Sequence, residues 1–330
     1  MNLSTAAQGF LLDKQIAGCS PNTIRNYTGD LRRLRQHLDP LDPDLSDITT
    51  DQLKTFFTWL ITARFTPGGI VKRPPQRLSP KTIRNIHTTL CSLWTWAIGE
   101  GYTHDHLPRQ IQVPKPEPPD IQPFTFLQIQ RLIEATYWSR QWATSPETQS
   151  EIPRRQQLRD RALILFLLDT GVRASELCRL CLRNVDLQTG TASVIGKGRL
   201  SGGEGKPRTV QYCARTTKAL WTYLADRNVV QPYQPAAHLF VTKQGTELDR
   251  SNLRRHLNAL GKRAGVPKCH PHRFRHTFAT NYLRNGGDIY SLQNLLGHTS
   301  LEMVRRYLHL TETDTASAHR RASPVDNWKL

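Results

Sequence analysis

Pro271-His272-Arg273-Phe274-Arg275-His276-Thr277-Phe278-Ala279-Thr280 and, further on, Leu295-Leu296-Gly297-His298-Thr299-Ser300 followed by Tyr307 are the stretches on which the fold turns. In chain order they present an imidazole, a guanidinium, a second imidazole and a phenol. No cluster of carboxylates stands among them to hold a metal. Upstream, Gly171-Val172-Arg173-Ala174-Ser175-Glu176-Leu177 adds another arginine, and Val194-Ile195-Gly196-Lys197-Gly198 adds a lysine. This set suits phosphoryl transfer through a covalent enzyme intermediate better than metal-assisted hydrolysis.

Other readings of these residues are weaker. His272 and His276 stand four apart and could form a zinc pair. A zinc protease would want Glu where Arg273 stands, and no third ligand is evident. Clustered arginine also opposes a dication, so no metal and no cofactor are expected. His276 reads as support for its helix, either behind the site residues or in the core. Tyr290 rivals Tyr307 as the phenol, but it belongs to a stripe with Leu292 and Leu295 and reads as packing.

Working outward, the chain divides at a proline-rich connector. Pro114, Pro116, Pro118 and Pro119 forbid a helix and favour an extended linker. The expected organisation is a helical domain over residues 1–112, a linker over 113–123 and a second domain with a C-terminal tail over 124–330. The fold class is mainly α with a small β component (α+β).

Residues 1–112 read as wholly helical. Ser20-Pro21-Asn22-Thr23-Ile24-Arg25-Asn26 nearly repeats as Ser79-Pro80-Lys81-Thr82-Ile83-Arg84-Asn85. Serine at the cap and proline at the first helical position make each a strong helix start. Ile24, Tyr27, Leu31 and Leu34 form the apolar stripe of the first helix. Ile83, Ile86, Leu90, Leu93 and Trp94 form that of the second. Arg25, Lys81 and Arg84 lie off these stripes and are candidates for contact with DNA phosphates and groove edges. A third helix is expected over residues 50–63, and residues 66–78 read as a loop.

After the linker, helices are expected to follow Thr125, over 161–169, from Ala174, and over 215–227, 251–264, 272–285, 289–296 and 301–307. Residues 139–153 read as an exposed irregular loop. Residues 191–195 read as a strand with 208–212 as its antiparallel partner, joined by a glycine-rich turn. Cys178 and Cys181 continue a helical pattern with Leu177, Leu180 and Leu182, and read as core cysteines rather than zinc ligands.

The composition points to an anionic partner. Lys and Arg number 45 against 27 Asp and Glu, a formal charge of +18. Such an excess gives salt-dependent binding to nucleic acid by counterion release. Neither a basic amphipathic helix nor a lipidation signal stands in the chain, which argues against a membrane partner. The longest apolar run, residues 162–168, is too short to span a bilayer. No signal peptide is visible, and six cysteines without a dense framework fit reduced thiols in a cytoplasm.

The segments over 171–177, 194–198, 271–280 and 295–307 resemble, in this order, the motifs of the tyrosine recombinases, the phage integrase family, in the style of its Xer-type members. The resemblance covers residues 124–310, and the N-terminal part matches in kind as a helical DNA-clamping domain. It implies that Tyr307 is the nucleophile, that Arg173 and Arg275 grip the scissile phosphate, that His272 is a base or hydrogen-bond partner, and that His298 is a second donor. Lys197 matches the general acid, with Lys206 as a competitor because the turn 198–207 is long. Glu176 is positioned to orient a member of the site.

The implied activity is site-specific recombination through a 3′-phosphotyrosyl intermediate, without ATP or metal. The implied assembly is a homotetramer on double-stranded DNA with paired inverted half-sites, the two domains clamping a duplex at the nucleoid. A mobile element is the leading role, in integration, excision or transposition. Xer-like chromosome or plasmid dimer resolution and a type IB topoisomerase-like relaxing activity are the alternatives. The target sequence and any accessory protein are not legible. By the same resemblance, residues 311–321 form a short helix that docks on a neighbouring protomer.

Overall fold

The structure is a computed structural model that describes residues 1–38, 42–66, 74–117, 122–140, 151–153, 156–196, 205, 207–230, 234–298 and 300–308, with positions 319, 323, 325 and 328 beyond. The chain forms two compact units, Met1–Pro119 and Asp120–Leu330. It is mainly α with a small β component, and each unit has its own core.

The first unit is built on α1 (Leu3–Ile16), α2 (Pro21–Leu38), α3 (Thr50–Thr62) and α4 (Pro80–Gly99). The two related helix starts form as their sequences require. The Ser20 and Ser79 hydroxyls accept from the backbone N–H of Thr23 and Thr82, each at 3.2 Å. Ile83, Ile86, Leu90, Leu93 and Trp94 of α4 are all buried, as are Leu31 and Leu34 of α2, while Ile24 and Tyr27 are half-buried. Apolar burial at this spacing outweighs the modest propensity of the β-branched residues in α4. Helix α1 was not separately legible. Leu3, Ala6 and Phe10 face the core, but Leu12 and Ile16 stay exposed, so its periodicity is blurred.

Two expectations of irregular chain are corrected. Within 66–78, β2 (Gln76–Arg77) pairs antiparallel with β1 (Arg64–Phe65), so this unit is not wholly helical; residues 67–73 lie outside the described residues. The ends of 139–153 also pair, β3 (Trp138–Arg140) against β4 (Glu151–Pro153), with 141–150 outside the described residues. In both cases short strands pair across a connection, which hydropathy does not report.

The second unit centres on α6 (Gln157–Thr170), whose Ala162, Leu163, Ile164, Phe166 and Leu167 are all buried. Helices α5 (Phe126–Tyr137), α8 (Ala214–Val230) and α10 (Pro271–Arg284) pack around it, and α9 (Arg250–Arg263) lies against α5 and α7 (Ala174–Arg179). A three-stranded antiparallel sheet runs β5 (Val185–Asp186), β6 (Thr191–Ile195), β7 (Pro207–Gln211), with Val194 opposite Arg208 and Ile195 opposite Pro207. A smaller apolar cluster joins α10 to α11 (Ile289–Leu296) and α12 (Glu302–Leu308).

The expected helical run through the cysteines stops early. Helix α7 ends at Arg179 and Leu180 is extended, so Cys178 is buried whereas Cys181 lies past the helix and is half-buried. Tyr290 is not packing, as its stripe suggested, but is 64% exposed. Helix α11 turns Leu292 and Leu296 inward, and Tyr290, two residues before Leu292, lies on the opposite face and points out.

Candidate active site

Helix α10 sets the site's floor. Its backbone starts at Pro271, with the His270 side chain accepting from the Arg273 N–H at 3.3 Å. Burial first, then the charges of His272 and Arg254, lowers the His270 pKa, which suits an accepting nitrogen. The helix then separates two neighbouring arginines. Arg273 turns toward the start of the unit, donating to the carbonyls of Gln122 and Pro267 and lying 4.1 Å from the Phe124 ring. That arginine is structural. Arg275 turns the other way, into the site.

Three arginines converge on the C-terminal end of α11, where Gly297 closes the helix in the left-handed region at φ 61°. Leu295 O accepts from Arg208 Nε at 2.9 Å, Leu296 O from Arg275 Nη2 at 2.7 Å, and Gly297 O from Arg173 Nη2 at 3.0 Å. Unsatisfied carbonyls at a helix C-terminus carry partial negative charge, which favours cations there. Arg275 Nη1 also donates to Gly171 O at 2.8 Å. Gly171 caps α6 at φ 59°, and its carbonyl is thereby turned toward α10.

One carboxylate balances this cluster. Glu176 is 2% exposed. Its Oε1 accepts from Arg173 Nη1 and Arg208 Nη1, both at 2.8 Å. Its Oε2 accepts from Arg208 Nη2 at 2.9 Å and from the Arg173 backbone N–H at 2.7 Å. Burial alone would raise its pKa, but the bonds and charge of Arg208 and then the bonds from Arg173 outweigh burial and hold it at about 2. Arg275 is pushed down to about 9, by burial first and then by the Arg173 charge, with Glu176 and Tyr307 acting the other way. It stays charged at neutral pH.

His298 Nε2 lies 2.8 Å from Arg275 Nη2. Guanidinium only donates, so this nitrogen accepts and the imidazole carries its proton on Nδ1. Tyr307, on α12, is 1% exposed among Ala279, Leu292, Leu296 and Val304. Its hydroxyl is 2.9 Å from His276 Nδ1. His272 is exposed on α10, with its ring centroid 6.2 Å from that of His276.

The structure thus brings Arg173, Arg275 and His298 together directly, and joins Tyr307 to the same helix through His276. Lys197 and its competitor Lys206 lie outside the described residues, as does most of the tail 311–321. Arg25 on α2 and Lys81 and Arg84 on α4 are exposed in the other unit. Among the described residues no group of three or more His, Cys, Asp or Glu is placed to hold a metal ion. Reading the sequence missed Arg208 altogether and gave His276 a supporting place, behind the site residues or in the core, without its bond to Tyr307. One buried carboxylate serving a cluster of arginines was the available signal, because such a group needs more than one partner.

Comparison with known proteins agrees in both halves of the chain. Residues 144–314 match the family described as "Phage integrase family", and residues 10–101 match "Phage integrase, N-terminal SAM-like domain". A protein named tyrosine recombinase XerC from Oceanobacillus iheyensis is 29% identical over 314 residues, covering 93% of this chain and 92% of its own. Another of that name, from Corynebacterium efficiens, is 28% identical over 94% of this chain and 87% of its own. In fold, a Tn1549 transposon integrase solved with transposon right-end DNA superposes with a TM-score of 0.73 at 20% identity, covering 98% of this chain and 99% of that one.

Proposed function

The chain belongs to the phage integrase family, and on that premise we propose that Tyr307 cuts DNA by forming a 3′-phosphotyrosyl bond. The protein is a tyrosine site-specific recombinase, and its proposed partner is double-stranded DNA, as the DNA complex of the similarly folded Tn1549 integrase supports. The observation that carries the residue assignment is the convergence on α10. Arg275 bonds His298 there, and His276, next in the chain, bonds the Tyr307 hydroxyl.

In this reading Arg173 and Arg275 grip the non-bridging oxygens of the scissile phosphate. Their forked groups, charged at neutral pH, fit that geometry and offset charge in the pentavalent transition state. The phenol oxygen of Tyr307 attacks phosphorus, its proton passes to a nearby acceptor, and the bond to the 5′ oxygen breaks. Lys197 supplies the proton that this oxygen takes up, and His272 and His298 act as hydrogen-bond partners of the phosphate. The phosphodiester energy is kept in the phosphotyrosyl bond, so a 5′ hydroxyl from a second duplex reverses the step and rejoins the strands. A tyrosine that is 1% exposed, its hydroxyl bonded to His276, does not reach an external phosphate. Helix α12 therefore has to leave its seat on α10 before attack.

Four protomers on two sites, each site made of inverted half-sites, form the working assembly in this proposal, with Arg25, Lys81 and Arg84 on the DNA. It works in the cytoplasm at the nucleoid. Among the described residues no helix is long and apolar enough to cross a membrane. Integration, excision or transposition of a mobile element is the proposed role. The name of the relatives, tyrosine recombinase XerC, favours Xer-type resolution as the second reading.

A duplex nicked beside the scissile phosphate tests the chemistry, since loss of the short fragment traps the covalent complex. Wild-type protein should become covalently joined to DNA, and Tyr307→Phe should bind the same DNA without joining it. Trapping by the Phe variant would move the nucleophile elsewhere.

A further inference from the structure

Arg208 stands on β7, opposite Val194 of β6, outside the segments that suggested the site, and yet its guanidinium makes three hydrogen bonds there, as many as that of Arg275. Its Nη1 and Nη2 grip both oxygens of Glu176, and its Nε holds Leu295 O. It therefore links three elements, β7, α7 and the C-terminal end of α11. Glu176, so held, presents Oε1 to Arg173 Nη1 and Oε2 to the Arg173 backbone N–H. The side chain of Arg173 is 21% exposed, against 12% for Arg208 and 1% for Glu176. Exposure thus rises from the carboxylate outward to Arg173, which leaves Arg173 the group open to a ligand and Arg208 the group behind it.

We infer that Arg208 is a positioning residue for strand cleavage, acting through Glu176 to fix the orientation of Arg173 on the scissile phosphate. The inference rests on the reading of Arg173 as a phosphate-gripping group. Without Arg208, Glu176 keeps only Arg173 as a side-chain partner among the hydrogen bonds above. Its carboxylate is then held from the Arg173 side alone, by Nη1 and the backbone N–H, and Arg173 loses the fixed anion that, with Gly297 O, sets its orientation. A lysine at 208 restores the charge but not the two-pronged grip, because an ammonium is a point charge and a guanidinium is a planar fork.

The nicked-duplex assay reads this directly, as the single-turnover rate of covalent joining at saturating protein, with half-site affinity measured by gel shift. Arg208→Met should slow joining about 100-fold while changing affinity by no more than about threefold. Arg208→Lys should be slow as well. The discriminating measurement is a cycle with Glu176→Gln, because a residue acting through Glu176 has nothing left to act on once that carboxylate is gone. Adding Arg208→Met to Glu176→Gln should cost less than about threefold more.

If Arg208→Met does not fold, judged by thermal unfolding, that last comparison still decides, since the double variant removes the buried charge along with its partner. Joining by Arg208→Met or Arg208→Lys at the wild-type rate would overturn the inference. So would a further loss of tenfold or more in the double variant. Failure of the wild-type protein to join DNA at all would instead overturn the reading of the site on which the inference rests.

Discussion

Glu176 is the residue whose ionisation the site can least spare. Its carboxyl ordinarily titrates near 4.5 and here is held at about 2. A lowered carboxyl pKa adds stability that is complete above about pH 4.5 and is lost as pH falls through about 2. The whole effect is about 3 kcal/mol, and about 2 kcal/mol of it is gone by pH 3. Urea unfolding of wild type and Glu176→Gln at pH 6 and pH 3 should show this as an extra loss in the wild type. Equal losses would put the carboxyl in the ordinary range. At pH 6 the Gln variant should itself be less stable by about 3 kcal/mol, because it leaves arginines near it without their counter-charge.

At the scale of elements, the site depends on where helices stop. Helix α6 ends at Gly171 with φ 59°, and the turn aims one carbonyl at Arg275. A Cβ there would collide with the Phe278 ring and come within 3.2 Å of Leu296. Gly171→Ala should therefore cost about 3 kcal/mol in urea unfolding, from the left-handed backbone and the overpacking together, and should slow DNA joining. Gly101 is the control, with φ 75° and no atom within 4 Å of a new Cβ, so Gly101→Ala carries only the backbone cost of about 1 kcal/mol. A similar loss at both sites would mean that the contact with Phe278 carries no weight. In the first unit, Lys81 and Arg84 ride the exposed first turns of α4. Replacing either by alanine should weaken DNA binding about equally for all sequences and reduce the salt slope by about one.

For the whole molecule, the +18 charge sets the response to salt. Binding to a half-site should fall about 10³-fold or more between 50 and 200 mM salt, as for a protein that neutralises six or more phosphates. Joining of the nicked duplex should persist in EDTA, because the proposed chemistry uses tyrosine, arginine, histidine and lysine. Activity that vanishes with EDTA and returns with magnesium would overturn that chemistry.

The sequence by itself determined the helical stripes, the capped helix starts and the residues of the motifs, because each is written in local periodicity or local chemistry. Ser79-Pro80 announces α4 wherever the helix packs, and Arg173, Arg275, His298 and Tyr307 are recognisable by type and order. Only the tertiary structure decided how they are held. Arg208 meets Glu176 across 32 positions, and Arg173 meets Gly297 across 124. No window of sequence spans such pairs. The same holds for the exposure of Tyr290 and the seat of Tyr307 on His276. Each is a consequence of which faces two elements turn toward each other. Local propensity does not encode that choice; burial of apolar surface and the need to pair a buried carboxylate make it.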